Sequence, residues 1–234
     1  MSKARYAVYF APAEGSELDR ICSSVLGRCA WTGTVLAQPL LPGINAARLL
    51  ELTASPRRYG LHGTLKPPFF LSDKTTETEL LDAVAALATG RKAFDLPPLK
   101  LETIGSFLAL TPSAPCSELD DLARSCVTEL DRFRCPPGPQ ELARRRAPGL
   151  TLNQERLLEQ WGYPYVLEEF RFHLTLTGRI PDADERLRVH AGLTTLLGPV
   201  TSQAVLVREV VVFRQTSPDT AFTVISSHAL RPRA

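Results

Sequence analysis

Two short stretches decide the fold: Tyr59-Gly-Leu-His-Gly-Thr-Leu-Lys66 and Phe170-Arg-Phe-His-Leu-Thr-Leu-Thr177. Each runs aromatic, any residue, apolar, His, any residue, Thr, Leu. Their histidines, His62 and His173, stand 111 residues apart in a chain of 234. A pattern repeated near half the chain length points to two related lobes. Side chains alternate along a strand. His62, Thr64 and Lys66 therefore share one face of the first strand. Arg171, His173, Thr175, Thr177 and Arg179 share one face of the second. Leu61, Leu65, Phe172, Leu174 and Leu176 form the apolar backs. One such strand per lobe sets two imidazoles facing each other across a common cleft.

Outward from these motifs, alternation predicts strands at Tyr6–Phe10, Tyr59–Lys66, Lys100–Ile104, Phe107–Leu110 and Phe170–Arg179. Pro67 and Pro68 are expected to end the first motif strand, since proline cannot donate to a ladder. Ala204–Phe213 and Ala221–Ala229 flank a turn cluster and read as a C-terminal hairpin. Helical periodicity marks Ser16–Leu26, Ala46–Leu52, Glu77–Thr89, Ser117–Phe133, Thr151–Trp161 and Asp184–Leu197. Ser117 with Asp120 resembles a capping box, and Gly90, Gly162 and Gly198 stop three of the helices. The Pro/Gly-rich stretch Cys135–Gly149, with Arg144, Arg145 and Arg146, reads as an ordered connector or lid. The fold class is α+β: a single two-lobed domain over residues 1–234. Each lobe is a mainly antiparallel sheet with helices outside, around a central cleft.

Composition narrows the function classes. Apolar residues at 44% and charged residues at 22% are ordinary for a globular protein and exclude long disorder. A net charge of +2 is too small for bulk attraction to nucleic acid or membrane surfaces. No apolar run approaches the ~18 residues of a membrane helix. The apolar run Tyr6–Ala13 is broken by Pro12 and reads as a first strand rather than a secretory segment. The five cysteines are odd in number and form no C-x-x-C pair. They read as free thiols of a cytoplasmic protein. The glycine-rich phosphate loops GxGxxG and GxxxxGK[ST] are absent. His190, on a predicted helix, and His228, near the C-terminus, lack the motif surroundings.

Paired H-x-[ST] strands in a two-lobed α/β domain resemble the 2H phosphoesterase superfamily, which includes the LigT-type RNA cyclic phosphodiesterases. The segments Tyr59–Phe69, Trp161–Val166 and Phe170–Arg179 are similar to the branch found in phosphonate-utilisation operons, and the resemblance covers nearly the whole chain. Gly63 departs from the alanine of many relatives, small for small. The resemblance implies hydrolysis of a small cyclic phosphate, 5-phospho-α-D-ribosyl 1,2-cyclic phosphate in that branch. The RNA-directed branch implies a 2′,3′-cyclic phosphate instead, and a module that only holds a phosphate ligand is the alternative of another class.

Ring opening needs a base for water and an acid for the departing oxygen, and imidazole serves both near neutrality. Thr64 and Thr175 are placed to donate to phosphoryl oxygens. No Asp or Glu lies within either motif, so the reaction is expected to need no metal and no cofactor. Lys66, Arg171, Arg146, Thr177, Tyr59 and Tyr165 are the candidates for holding the rest of a phosphorylated sugar. Arg57, Arg58, Arg179 and Tyr163 are further possibilities. A nucleic-acid partner is less favoured, a membrane is not expected, and the oligomeric state is not readable.

Overall fold

In the computed structural model, which describes residues 3–233, the first apolar run forms β1 (Arg5–Phe10). Then follow α1 (Glu17–Leu26), α2 (Ala46–Leu52), α3 (Ala54–Tyr59), β2 (Gly63–Phe70) and α4 (Glu77–Thr89). Next come β3 (Phe94–Leu96), β4 (Leu99–Ile104), β5 (Phe107–Pro112), α5 (Ser117–Glu129) and a 3-10 turn at Asp131–Phe133. The second half holds α6 (Pro139–Arg146), α7 (Leu152–Trp161), a 3-10 turn at Leu167–Glu169 and β6 (Leu174–Thr175). It closes with α8 (Ala183–Thr201), β7 (Val205–Val207), β8 (Glu209–Gln215) and β9 (Thr223–Ala229).

The mixed helical and antiparallel class holds. Seven strands form one sheet in the order β4-β5-β6-β2-β1-β8-β9, while β3 pairs only with β7. All these pairings are antiparallel. The two motif strands are neighbours at the centre of the sheet, joined by the pair Gly63–Leu174. Both halves of the chain thus contribute to a single layer, and residues spaced far apart in sequence reach one face of it.

Alternation assigns the two faces. Tyr6, Val8 and Phe10 of β1 enter the main core with Leu61, Leu65, Leu174 and Leu176. Helices α1, α4, α5 and α8 bury Cys22, Leu80, Leu122 and Leu193 in the same core. Burying such a side chain contributes about 1.5–3 kcal/mol, so this layer dominates the stability. On the opposite face Ala7 and Tyr9 pack with Val211, Phe213 and Phe222, and this face carries the cleft.

Several boundaries differ from expectation. Tyr59 closes α3, a helix that tolerates Pro56 in its first turn, so the first motif strand begins only at Gly63. It then runs through Pro67 and Pro68 to Phe70. The prolines break no ladder: β6 pairs with β2 only at Gly63. On the other side Pro67 and Pro68 both stand opposite Ala7 in a bulge. The second motif has ladder pairing only at Leu174–Thr175. Ser117 is not the cap of α5: Cys116 takes that position without a side-chain bond, and Asp120 N bonds to its carbonyl. The connector forms α6, and α8 continues past Gly198 and Pro199. The five cysteines are free.

Candidate active site

Helix α3 ends at Gly60, whose backbone has φ 76° and ψ 176°. Only glycine populates that region readily. The conformation turns the Gly60 carbonyl onto the next histidine: His62 Nδ1 lies 2.8 Å from Gly60 O. The second motif repeats the device, with His173 Nδ1 lying 2.8 Å from Arg171 O. A carbonyl only accepts, so Nδ1 carries the proton and donates in both rings. In each neutral ring Nε2 is then the free basic nitrogen. Two residues on from each histidine, Thr64 and Thr175 line one cleft of about 690 Å³, a size that suits a small ligand.

Aromatic packing fixes the first ring. Tyr9 stacks on His62 with centroids 3.9 Å apart and planes 25° from parallel. Tyr59 and Phe213 approach it at 6.0 and 6.3 Å. Phe107, a cleft residue, stands 5.8 Å from His173. His62 is itself in the cleft wall; His173 is half-buried and outside the wall, beside the wall residue Phe107. Burial pushes His62 down to about 4, the charge of His173 adds to the lowering, and the Gly60 carbonyl opposes it. Burial also lowers His173, aided by the Arg171 charge and opposed by the Arg171 carbonyl. Both shifts favour the neutral rings at pH 7.

The cleft wall carries Arg5, Arg144, Arg145 and Arg179, and no Asp or Glu. Among the described residues no group of three or more His, Cys, Asp or Glu is placed to hold a metal ion. Such a surface favours an anionic ligand.

The remaining sequence candidates divide. Tyr59 lines the cleft, stacked on Phe222 at 5.3 Å. Thr177 lines it too, but its hydroxyl accepts from Leu108 N at 2.9 Å and serves the backbone. Lys66 does not face the cleft. Tyr9 pairs with Thr64 and Val8 with Lys66, so Leu65 is an extra residue in a β-bulge. The bulge turns Lys66 to the back, where Nζ donates to Val127 O at 3.1 Å and pairs with Asp131 at 3.3 Å.

Arg171 is exposed and outside the cleft wall. Tyr165 is 44% exposed and packs edge-on against Tyr163, the one of the two that lines the wall. Arg146 pairs with Glu155 and Glu159 of α7. Its neighbours Arg144 and Arg145 line the cleft instead. Arg57 is spent on the carbonyls of Leu26 and Leu50, and Arg58 is not in the wall, whereas Arg179 is. Sequence reading did not select Arg5, Tyr9 or Phe107. For Arg5 and Tyr9 the alternation of β1 was the available signal: both share its non-core face.

Residues 64–223 match the family model described as "Protein of unknown function (DUF1045)". The chain belongs to this family. Two curated proteins are also similar to it. Ribose 1,5-bisphosphate phosphokinase PhnN of Janthinobacterium sp. (strain Marseille) is 42% identical over 183 residues, covering 78% of this chain and 40% of that protein. The protein of the same name from Laribacter hongkongensis (strain HLHK9) is 36% identical over 180 residues, covering 77% and 41%. The chain spans about two-fifths of the length of these relatives. Among solved structures, E. coli LigT in apo form aligns over 99% of each chain with 16% identity and a TM-score of 0.45. LigT complexed with 3′-AMP aligns over the same share with 16% identity and a TM-score of 0.44. Neither likeness is close enough to carry an argument, and the fold rests on the sheet itself. No helix among the described residues is long and apolar enough to cross a membrane.

Proposed function

We propose that this family member is a metal-independent cyclic phosphodiesterase acting on a small phosphorylated sugar in phosphonate catabolism. The observation that carries the reading is the duplicated histidine geometry. Both Nδ1 atoms are tied to the carbonyl two residues back, and the threonine two residues on from each ring lines one cleft. One neutral Nε2 takes a proton from water as the water oxygen bonds to phosphorus. The other ring, protonated once the substrate anion is bound, gives its proton to the ring oxygen as its bond to phosphorus breaks. Thr64 and Thr175 donate to the non-bridging oxygens.

The substrate we favour is 5-phospho-α-D-ribosyl 1,2-cyclic phosphate. Breaking its phosphorus bond to the sugar O2 yields ribose 1,5-bisphosphate, the compound after which the relatives are named. Their kinase activity is not carried over, since this chain holds no GxxxxGK[ST] loop for a nucleotide triphosphate. A sugar phosphate substrate of this kind supports a cytoplasmic location.

The test is phosphorus NMR of the pure protein in EDTA with this substrate and, separately, a 2′,3′-cyclic nucleotide. Opening of the ribosyl ring alone is expected. Preference for the nucleotide would move the protein to the RNA-directed class. Turnover of neither, or turnover only with added metal, would overturn the mechanism. His62→Ala and His173→Ala are each expected to lower kcat by about 10²–10⁴-fold with ligand affinity held within a few-fold. Loss of affinity without any turnover in the parent would instead leave a binding module.

A further inference from the structure

The four cleft arginines are not equivalent. Arg145 is committed to Glu141 at 2.6 Å and lies over the Tyr163 ring. Arg144 stands in solvent, 69% exposed and 3.8 Å from the same carboxylate. Arg179 is exposed, and its side chain makes no hydrogen bond among the described residues. Arg5 alone is both fixed and uncompensated. Its Nε donates to Gln215 Oε1 at 2.8 Å, and its Nη2 donates to the same oxygen. Gln215 is buried, and its own Nε2 donates to Thr220 O at 2.6 Å. That bond fixes which end of the amide faces Arg5. The guanidinium carbon lies 5.3 Å from the Phe222 ring centre.

A carboxylate in the place of Gln215 would hold the guanidinium and cancel its charge. A neutral amide holds it and leaves the charge for a ligand. The planar fork is then pre-organised for a phosphate, which it can meet with parallel hydrogen bonds. Position supports the same use. Arg5 and Tyr9 share the cleft face of β1, four residues or roughly 13 Å apart along the strand. Tyr9 stacks on His62, and a row from Phe222 through Tyr59 to His62, with spacings of 5.3 and 6.0 Å, spans the distance from Arg5 to the first imidazole.

We propose that Arg5, positioned by Gln215 and Phe222, binds a phosphate that a sugar ligand carries away from its reacting ring. It thereby sets selectivity for phosphorylated over unphosphorylated sugars. The inference rests on the cyclic phosphodiesterase reading for placing the reacting ring at His62. Arg5 is the specificity residue and Gln215 a positioning residue.

Calorimetric titration with ribose 5-phosphate and with ribose tests it without turnover. The native protein is expected to bind the phosphorylated sugar at least tenfold more tightly. Arg5→Ala should abolish that preference. Arg5→Lys keeps a charge but lacks the fork, and should recover only part of it. Gln215→Met should fall between the parent and Arg5→Ala.

In turnover, the ratio of kcat/KM for 5-phosphorylated over unphosphorylated ribosyl 1,2-cyclic phosphate should drop at least tenfold in Arg5→Ala. It should drop by a smaller factor in Gln215→Met. A purely structural role for Gln215 would lower both substrates alike and leave the ratio intact. No preference in the parent protein, or an undiminished preference in folded Arg5→Lys and Arg5→Ala, overturns the proposal. If Arg5→Ala fails to fold, Arg5→Lys decides. If the parent opens neither cyclic compound, the activity reading fails, and the titration still decides the phosphate subsite.

Discussion

Gly60 positions His62 although it has no side chain. A Cβ there would lie 2.4 Å from the Ala30 Cβ, and φ of 76° disfavours any other residue. Gly60→Ala must move the carbonyl that holds His62 Nδ1. A displaced base loses alignment, and shifts of about 1 Å can cost on the order of 100-fold in rate. Gly60→Ala is therefore expected to lower kcat by about 10- to 100-fold with little change in KM, read by steady-state kinetics. An unchanged kcat would show that the carbonyl does not set the ring. Lys66 predicts the opposite result. Its ammonium is pushed down to about 8 by burial, and its partner Asp131 is also held by Arg134 at 2.8 and 3.0 Å. Lys66→Met removes a buried cation without orphaning the carboxylate, so stability should change by about 1 kcal/mol or less and turnover by less than a few-fold. A large loss of turnover with the fold intact would return Lys66 to the site.

At the scale of elements, the contact of β2 with β6 explains why the first motif contains Gly63. A Cβ on Gly63 would stand 2.2 Å from the Phe172 ring, which is buried and edge-on to Phe10 at 5.7 Å. Gly63→Ala is expected to cost about 1–3 kcal/mol by overpacking, measured by urea unfolding. Phe172→Leu frees the space, so the double variant should recover part of that loss. Strict additivity of the two would sink the account. The glycine at position 63 is thus coupled to the ring packed against it, a contact that one sequence does not reveal. The motif histidines and threonines were legible because their spacing is local, as were α4 and the β8–β9 hairpin. The facing of Lys66 was not legible, because the bulge at Leu65 depends on how β1 pairs with β2. Helix α6 was hidden by the prolines and glycines around it and buries no residue. Its hold on the molecule is side-chain pairing, such as Arg146 to Glu155 and Arg145 over Tyr163. Hydrophobic periodicity cannot report such a helix.

At the scale of the molecule, the sheet half-buries both histidines, and burial links rate to stability through pH. The proposed catalysis by the pair requires one ring neutral and one protonated. His62 is lowered to about 4, and His173 lies below its ordinary 6.5. The singly protonated pair is therefore most populated in the free protein on the acid side of pH 6.5, from about 4 up to the lowered point at which His173 loses its proton. The profile of kcat/KM should peak there and fall tenfold per unit above neutrality, because that parameter reports the free enzyme. A bound phosphate diester favours the protonated ring, so the kcat profile should lie to the alkaline side. Stability runs the other way. His62 titrates lower in the folded chain than in the unfolded one, so the unfolded chain binds more protons across this window. The stabilisation is full above pH 6.5 and is lost as pH falls through 4, by up to about 3 kcal/mol. Denaturant melts at pH 7.5 and 4.5 should show that loss, and His62→Gln should remove most of the difference. A kcat/KM optimum above pH 7, or a His62→Gln variant with the parent's pH dependence of stability, would mean that the cleft does not hold its imidazoles in the neutral form.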